Sequence, residues 1–378
     1  MNKQDGFESE RLCYRGISES DTDLLVKWRS NPELIYIRAD GNSRIGAGHL
    51  MRCLSIADAV KKLGAGVVFI VADSCSRGMI EERGYRTVCL DSKWSDLNNE
   101  IDKMVSLIRD EKVDKLVIDS YYVTREYLKR LRELTKIVYI DDLNAFHYPC
   151  DTLINYNCYA GKFEYPERYP KTELLLGCEY APLREEFQIA RRETPKKDVE
   201  SILITTGGID PYNSAVKLVK MAKMLAELKS VKFHVVIGQF YLHEEELNHL
   251  KSEYAGVVIH KRAHNMARLM LDCDIAVSAG GSTLYELCAC GAPTVAFSVA
   301  DNQLEGVNYF GGGLMINAGD IRVDEEHCLA RILKGICLLT SDYQLRVGLS
   351  EKCQRLVDGK GAIRIAEALV TDATKENI

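Results

Sequence analysis

A chain of 378 residues, 46% hydrophobic and 28% charged, has material for two globular cores and too ordinary a composition for a disordered or fibrous class. Its formal net charge of −6 supplies no basic field for nucleic acid, and no Lys/Arg cluster interleaved with aromatic residues occurs. The run Met1 to Glu8 lacks an apolar signal core and no window is long enough to cross a bilayer, so a cytoplasmic protein without membrane or nucleic-acid partners is expected. The 13 cysteines are odd in number and show no Cys-x-x-Cys spacing; Cys53, Cys273, Cys288 and Cys290 lie among apolar residues and read as small buried side chains.

In chain order, residues 1–33 form an appendage in which Ser18 to Asp23, followed by Leu24 to Trp28, reads as a capped helix. Short β-branched runs then alternate with amphipathic stretches, the pattern of βα units building a parallel sheet. Strands are expected over 34–39, 66–72, 115–118, 137–140 and 152–155, with helices over 49–63, 98–109 and 124–134. A polar, aperiodic stretch over 191–198 reads as a linker. A second series follows, with strands over 201–205, 232–237, 257–260, 275–278 and 294–297 and helices over 213–225, 243–250, 283–290 and 325–338. The expected fold is therefore α/β, with two Rossmann-like doubly wound domains, 34–190 and 199–378, facing a cleft. Open parallel sheets bind ligands beyond the carboxyl ends of their strands, so each domain would contribute half a site.

Several turns fall at those strand ends. The first, Asp40 to Arg52, carries Gly46 and Gly48 and places His49 at the start of a helix, where the dipole favours a neutral imidazole able to accept a proton. A surface histidine fits the same position, and the glycine spacing is not that of the dinucleotide fingerprint. Ala279-Gly280-Gly281-Ser282-Thr283 leads into a second helix whose free N–H groups suit a diphosphate. One turn further on, Glu286 could accept hydrogen bonds from ribose hydroxyls, or close a capping box with Thr283. Thr206-Gly207-Gly208-Ile209-Asp210-Pro211 and Asp301-Asn302-Gln303 end two more strands; either could reach substrate or simply start the next helix. Asp119-Ser120-Tyr121-Tyr122 and Asp141-Asp142 close apolar strands of the first domain and are open to the same two readings. No His/Asp/Glu cluster has zinc spacing, and a helix N-terminus can answer the diphosphate charge, so neither a metal nor a cofactor is expected.

Assembled, these motifs resemble the nucleotide-sugar hydrolases of pseudaminic acid biosynthesis, which are related to spore coat polysaccharide proteins and more distantly to inverting glycosyltransferases of the GT-B type. The likeness rests on Arg38-Ala39-Asp40-Gly41 with Gly46 to Arg52, on Asp119-Ser120-Tyr121 and Asp141-Asp142, and on Tyr180 to Phe187. It continues through Gly207 to Pro211, Gly280 to Thr283 with Glu286, and Asn302-Gln303, spanning roughly 36–370. The resemblance implies removal of UDP from UDP-2,4-diacetamido-2,4,6-trideoxy-β-L-altropyranose by water attack at the anomeric carbon. It makes His49 the base, with Tyr121 and Asn302 positioning water or sugar. It places UDP on Gly280, Gly281, Ser282, Thr283 and Glu286, with Gly46, Gly48, Arg52, Gly207, Gly208 and Gln303 completing the substrate site. The free sugar would pass to a nonulosonic acid synthase.

The chain departs from that family at its beginning, where Arg11 to Asp21 and Leu24 to Glu33 resemble only the opening strand and helix of an acetyl-CoA-dependent N-acetyltransferase. That is too little chain for an acetyl-CoA site, and a bifunctional acetyltransferase is not expected. The rival readings are a glycosyltransferase of the same fold and a non-catalytic nucleotide-sugar-binding protein.

Overall fold

The computed structural model describes residues 33–370 apart from 43, 239, 240, 262 and 264, together with 7–8 and 13–14. Strands β1 (Phe7–Glu8) and β2 (Cys13–Tyr14) form a short antiparallel ladder. The helix expected over 24–28 lies outside the described residues.

The first domain is a seven-stranded parallel sheet built from β3 (Leu34–Ala39), β4 (Gly66–Val71), β5 (Arg86–Cys89), β6 (Lys115–Asp119), β7 (Lys136–Ile140), β8 (Thr152–Asn155) and β9 (Glu173–Leu176). Their spatial order is β5-β4-β3-β6-β7-β8-β9. The central strands are buried along nearly their whole length because helices cover both faces, which is why they read as unbroken apolar runs. The second domain is a six-stranded parallel sheet of β10 (Ser201–Thr205), β11 (Lys232–Ile237), β12 (Val257–Lys261), β13 (Ile275–Ala279), β14 (Thr294–Ser298) and β15 (Ile316–Asp320). Its order is β12-β11-β10-β13-β14-β15. Both sheets reverse direction beside their first strand, at β3/β6 and at β10/β13, and these switch points are where crevices open.

Every strand expected from the sequence is present, but β5, β9 and β15 were not anticipated. All three are edge strands, and β5 and β15 are only partly buried. The composition Ile-Asn-Ala-Gly-Asp of β15 is poor in the residues that mark strands. The helix expected over 98–109 begins as a 3₁₀ turn, Leu97–Glu100, before Ile101–Asp110. Helices Met266–Asp272, Leu304–Gly311, Tyr343–Leu356 and Gly361–Val370 were also unassigned.

The last of these, within the expected domain 199–378, lies against the first domain. Gly361–Val370 packs on helix Gly48–Lys62 of the first domain, and its buried Ala362, Ile365, Ala366 and Leu369 join the core that holds Leu54 and Val60. Lys115 Nζ donates to the Leu369 carbonyl, and Arg364 donates to the carbonyl of Glu179 at 2.8 Å. Burying each large aliphatic side chain stabilises this return by about 1.5–3 kcal/mol. The stretch 191–198 is irregular, as a linker should be, yet it is tied down: Gln354 Nε2 donates to the Arg192 carbonyl at 2.9 Å, and buried Arg346 donates to the carbonyls of Lys196 and Lys197 at 2.8 and 2.6 Å.

Candidate active site

The first half of the site grows from the β3/β6 switch point. Arg38, fully buried at the end of β3, is held by Glu100 (2.7 Å) and Asp40 (2.5 Å), and Asp40 in turn accepts the backbone N–H of Ala72 at 2.8 Å. Ser76 donates to the Gly41 carbonyl at 2.6 Å and accepts its N–H at 2.9 Å. Arg38, Asp40 and Gly41 thus fix the loop rather than face a ligand. Asn42 and Gly46 then exchange backbone hydrogen bonds of 3.2 and 2.8 Å across a tight turn, where Gly46 takes a φ of +74° that a side chain disfavours. Helix Gly48–Lys62 follows, with no side-chain cap and no acidic residue in its first turn, so its leading N–H groups stay open.

His49, on that first turn, meets Asp119 at the end of β6, with Nδ1 2.6 Å from Oδ1. A carboxylate can only accept here, so in the neutral imidazole Nδ1 carries the proton and Nε2 has the lone pair. Arg52, one turn later on the same helix face, grips Asp119 with Nε and one terminal nitrogen at 2.6 Å each. Its other terminal nitrogen donates to Asp142 and to the Tyr156 hydroxyl, both at 2.8 Å. Burial acts to raise the Asp119 pKa, but the Arg52 charge and the hydrogen bonds from Arg52 and His49 outweigh it and hold the carboxyl well below the usual range. Tyr121 packs edge-on against the His49 ring at 4.4 Å between centroids and donates to Asp142 at 2.9 Å. Asn157 donates to the other oxygen of Asp142, also at 2.9 Å.

The second half grows from β10/β13. Gly280 is packed so closely that a Cβ would run into Val307 Cγ2, whereas a Cβ on Gly281 would meet nothing within 4 Å. Helix Thr283–Cys290 starts at Ser282 without a side-chain cap. The capping box considered for Thr283 and Glu286 is therefore not formed. Glu286 pairs instead with Arg184, 3.0 Å away, from the segment that leaves the first domain. Burial raises the Glu286 pKa, and Arg184 opposes that shift only in part. Gly207 sits at a φ of +87° beside Gly208, whose backbone lies against Gly238. Gln303 uses Oε1 to accept the Val299 N–H at 2.9 Å.

These two halves enclose a cleft of about 730 Å³. Every residue expected at the site lines it except Gly46, which shapes the turn from outside. Arg52 lines the cleft, but its donors go to Asp119, Asp142 and Tyr156; it braces this wall more than it offers itself to a phosphate. The neighbours Asp141 and Asp142 point to different tasks: Asp141 is buried, accepting the N–H groups of Leu143 and Asn144 and the Tyr165 hydroxyl, while Asp142 faces the cleft. Sequence reasoning had Asp119 and Asp142 closing strands, to line the cleft or cap the next helix, and had Arg184 only in the Tyr180 to Phe187 stretch; it gave none of them a partner. Among the described residues, no helix is long and apolar enough to cross a membrane.

Two doubly wound domains whose switch points face each other across a ligand-sized cleft define the GT-B arrangement. Consistent with this, the glycosyltransferase family 28 C-terminal domain matches residues 201–309. MurG of Acinetobacter baumannii superposes with a TM-score of 0.63 at 14% identity, over 89% of this chain and 99% of that one. The chain is similar to the UDP-2,4-diacetamido-2,4,6-trideoxy-β-L-altropyranose hydrolases and to a spore coat polysaccharide protein. The hydrolase of Campylobacter jejuni is 30% identical over 187 residues, which is 49% of this chain and 64% of that protein. SpsG of Bacillus subtilis is 26% identical over 355 residues, 91% of this chain and 99% of that one. An uncharacterised protein of Methanocaldococcus jannaschii is 30% identical over 284 residues, 72% of this chain, and the match spans only 57% of the archaeal protein.

Proposed function

We propose that the protein hydrolyses UDP-2,4-diacetamido-2,4,6-trideoxy-β-L-altropyranose to UDP and the free sugar by C–O cleavage at the anomeric carbon. The observation that carries this reading is the Asp119–His49 pair on one wall of a cleft whose other wall is the uncapped start of helix Thr283–Cys290. His49 Nε2 takes a proton from water as the oxygen bonds to the anomeric carbon. The bond from that carbon to the diphosphate oxygen breaks, and its electron pair leaves with UDP. The imidazolium so formed faces Asp119, and the leaving diphosphate rests beside Gly281 on the open N–H groups of Ser282 and Thr283. Glu286 would receive the ribose hydroxyls, while Tyr121 and Asn302 would hold water and sugar. The names of the Campylobacter protein and of a Helicobacter pylori protein 25% identical over 264 residues support this substrate. The free sugar would feed a nonulosonic acid synthase.

A second reading, transfer of the sugar to an acceptor hydroxyl, draws support from the family 28 domain over 201–309. Phosphorus and proton NMR of the protein with the UDP-linked diacetamido sugar in heavy-oxygen water separates the two. Free UDP with label in the sugar, lost in His49→Ala, is the expected result. An intact substrate that still binds would point to a transferase or to a binding protein.

A further inference from the structure

We infer that Asp142 is a positioning residue that makes this site choose water over an alcohol, by holding the Tyr121 hydroxyl as a pure hydrogen-bond acceptor. The inference rests on the hydrolase reading above. Asp142 cannot donate: Oδ2 takes Arg52 at 2.8 Å and Tyr121 at 2.9 Å, and Oδ1 takes Asn157 at 2.9 Å. The single proton of the Tyr121 hydroxyl is thereby spent on Asp142, and only its lone pairs remain for the cleft. His49 stands in the same condition. Its Nδ1 proton is spent on Asp119 at 2.6 Å, which leaves the Nε2 lone pair.

The two rings touch, with centroids 4.4 Å apart at 80°, and both line the cleft. Arg52 joins the two carboxylates, so a single guanidinium fixes the hydrogen-bond polarity of both side chains. This wall thus presents two acceptors and no donor from His49 or Tyr121. Water brings two O–H groups and satisfies both, one proton passing to His49 as the oxygen attacks while the other stays on that oxygen, hydrogen-bonded to Tyr121. An alcohol brings one O–H, so it leaves one acceptor unmatched when it takes the same place. The fold is that of transferases, and the choice of nucleophile lies in this polarity.

The test is product partition. Wild type, Asp142→Ala and Tyr121→Phe are run with the UDP-sugar at a fixed methanol concentration, and the ratio of methyl glycoside to free sugar is measured. That ratio does not depend on how much of a variant is folded. In Asp142→Ala the Tyr121 hydroxyl loses its acceptor, and its proton is free to turn to the cleft. The expected result is a ratio raised about fivefold in each variant, the size of one ordinary hydrogen bond, with no further rise in the double variant. Unchanged ratios in variants that still release UDP would overturn the inference and leave the hydrolase reading standing. A wild type that releases no UDP would remove that reading, and the inference with it.

Discussion

Asp119 and Asp142, at the ends of neighbouring strands β6 and β7, share one guanidinium: Arg52 reaches Asp119 at 2.6 Å and Asp142 at 2.8 Å. Asp119 has no exposed side-chain surface, so an unpaired charge there would be strongly destabilising. The shared cation links the two side chains, and each orients one ring, His49 or Tyr121.

Asp119→Asn should spare the fold and lose the chemistry. An amide can accept the Nδ1 proton less well and can present its own N–H, which favours the wrong tautomer of His49. We expect kcat to fall between about 10³- and about 10⁴-fold with KM little changed, as steady-state release of UDP would record. A loss confined to KM would remove Asp119 from this role.

The same carboxyl sets an acid limit on stability. Its pKa is depressed in the folded chain, so its contribution is present above the unfolded value of about 3.9 and lost as pH falls through the folded value. Urea midpoints measured between about pH 5 and about pH 2 should drop more steeply for wild type than for Asp119→Asn.

Glu286 has the opposite sign. Burial raises its pKa, so its neutral form suits the folded chain; that contribution is full below the unfolded value and is lost as pH rises through the folded one. Glu286→Gln should therefore hold or raise thermal stability near neutral pH. It should also weaken UDP binding by about 10- to 100-fold, the loss of a charged hydrogen-bond acceptor. Calorimetric titration with UDP checks this, and unchanged affinity would remove Glu286 from the ribose.

Gly280 and Gly281 are adjacent and should behave differently. A Cβ at Gly280 meets Val307 and Gln303, so Gly280→Ala should cost about 1–3 kcal/mol of stability. A Cβ at Gly281 meets no protein atom within 4 Å and projects where the diphosphate is proposed to sit. Gly281→Ala should leave the melting temperature alone and raise the Kd for UDP. Thermal melts with and without UDP distinguish the two.

Ile365 tests the return of the chain to the first domain. Buried in the core shared with Leu54 and Val60, it should lose about 2–5 kcal/mol of stability on Ile365→Ala. Hydrogen exchange should show the loss in helix Gly48–Lys62, although the substitution lies at the far end of the sequence.

Much of this was legible in the chain itself. Unbroken apolar runs such as 34–39 and 201–205 mark strands buried on both faces, and their alternation with helical stretches gives parallel sheets. Glycines at strand ends marked the turns at both switch points. Strands β5 and β15 were not legible because they carry little of the apolar signal, β9 because an apolar run as short as Leu174 to Leu176 fits helix or strand, and Gly361–Val370 because nothing local says which sheet a helix will cover.

The sequence alone determined two doubly wound domains, a glycine-led helix start in each, and a histidine on one of them. Only the tertiary structure decided which side chains complete the site. Asp119 lies 70 positions from His49 and reaches it because β3 and β6 are neighbours. Arg184 lies 102 positions from Glu286 and takes the carboxylate that a local capping box would have used. Periodicity and turn chemistry act over a few residues and are written in the chain in order. The pairing of buried charges depends on strand order and domain packing, which bring together residues that share no local pattern.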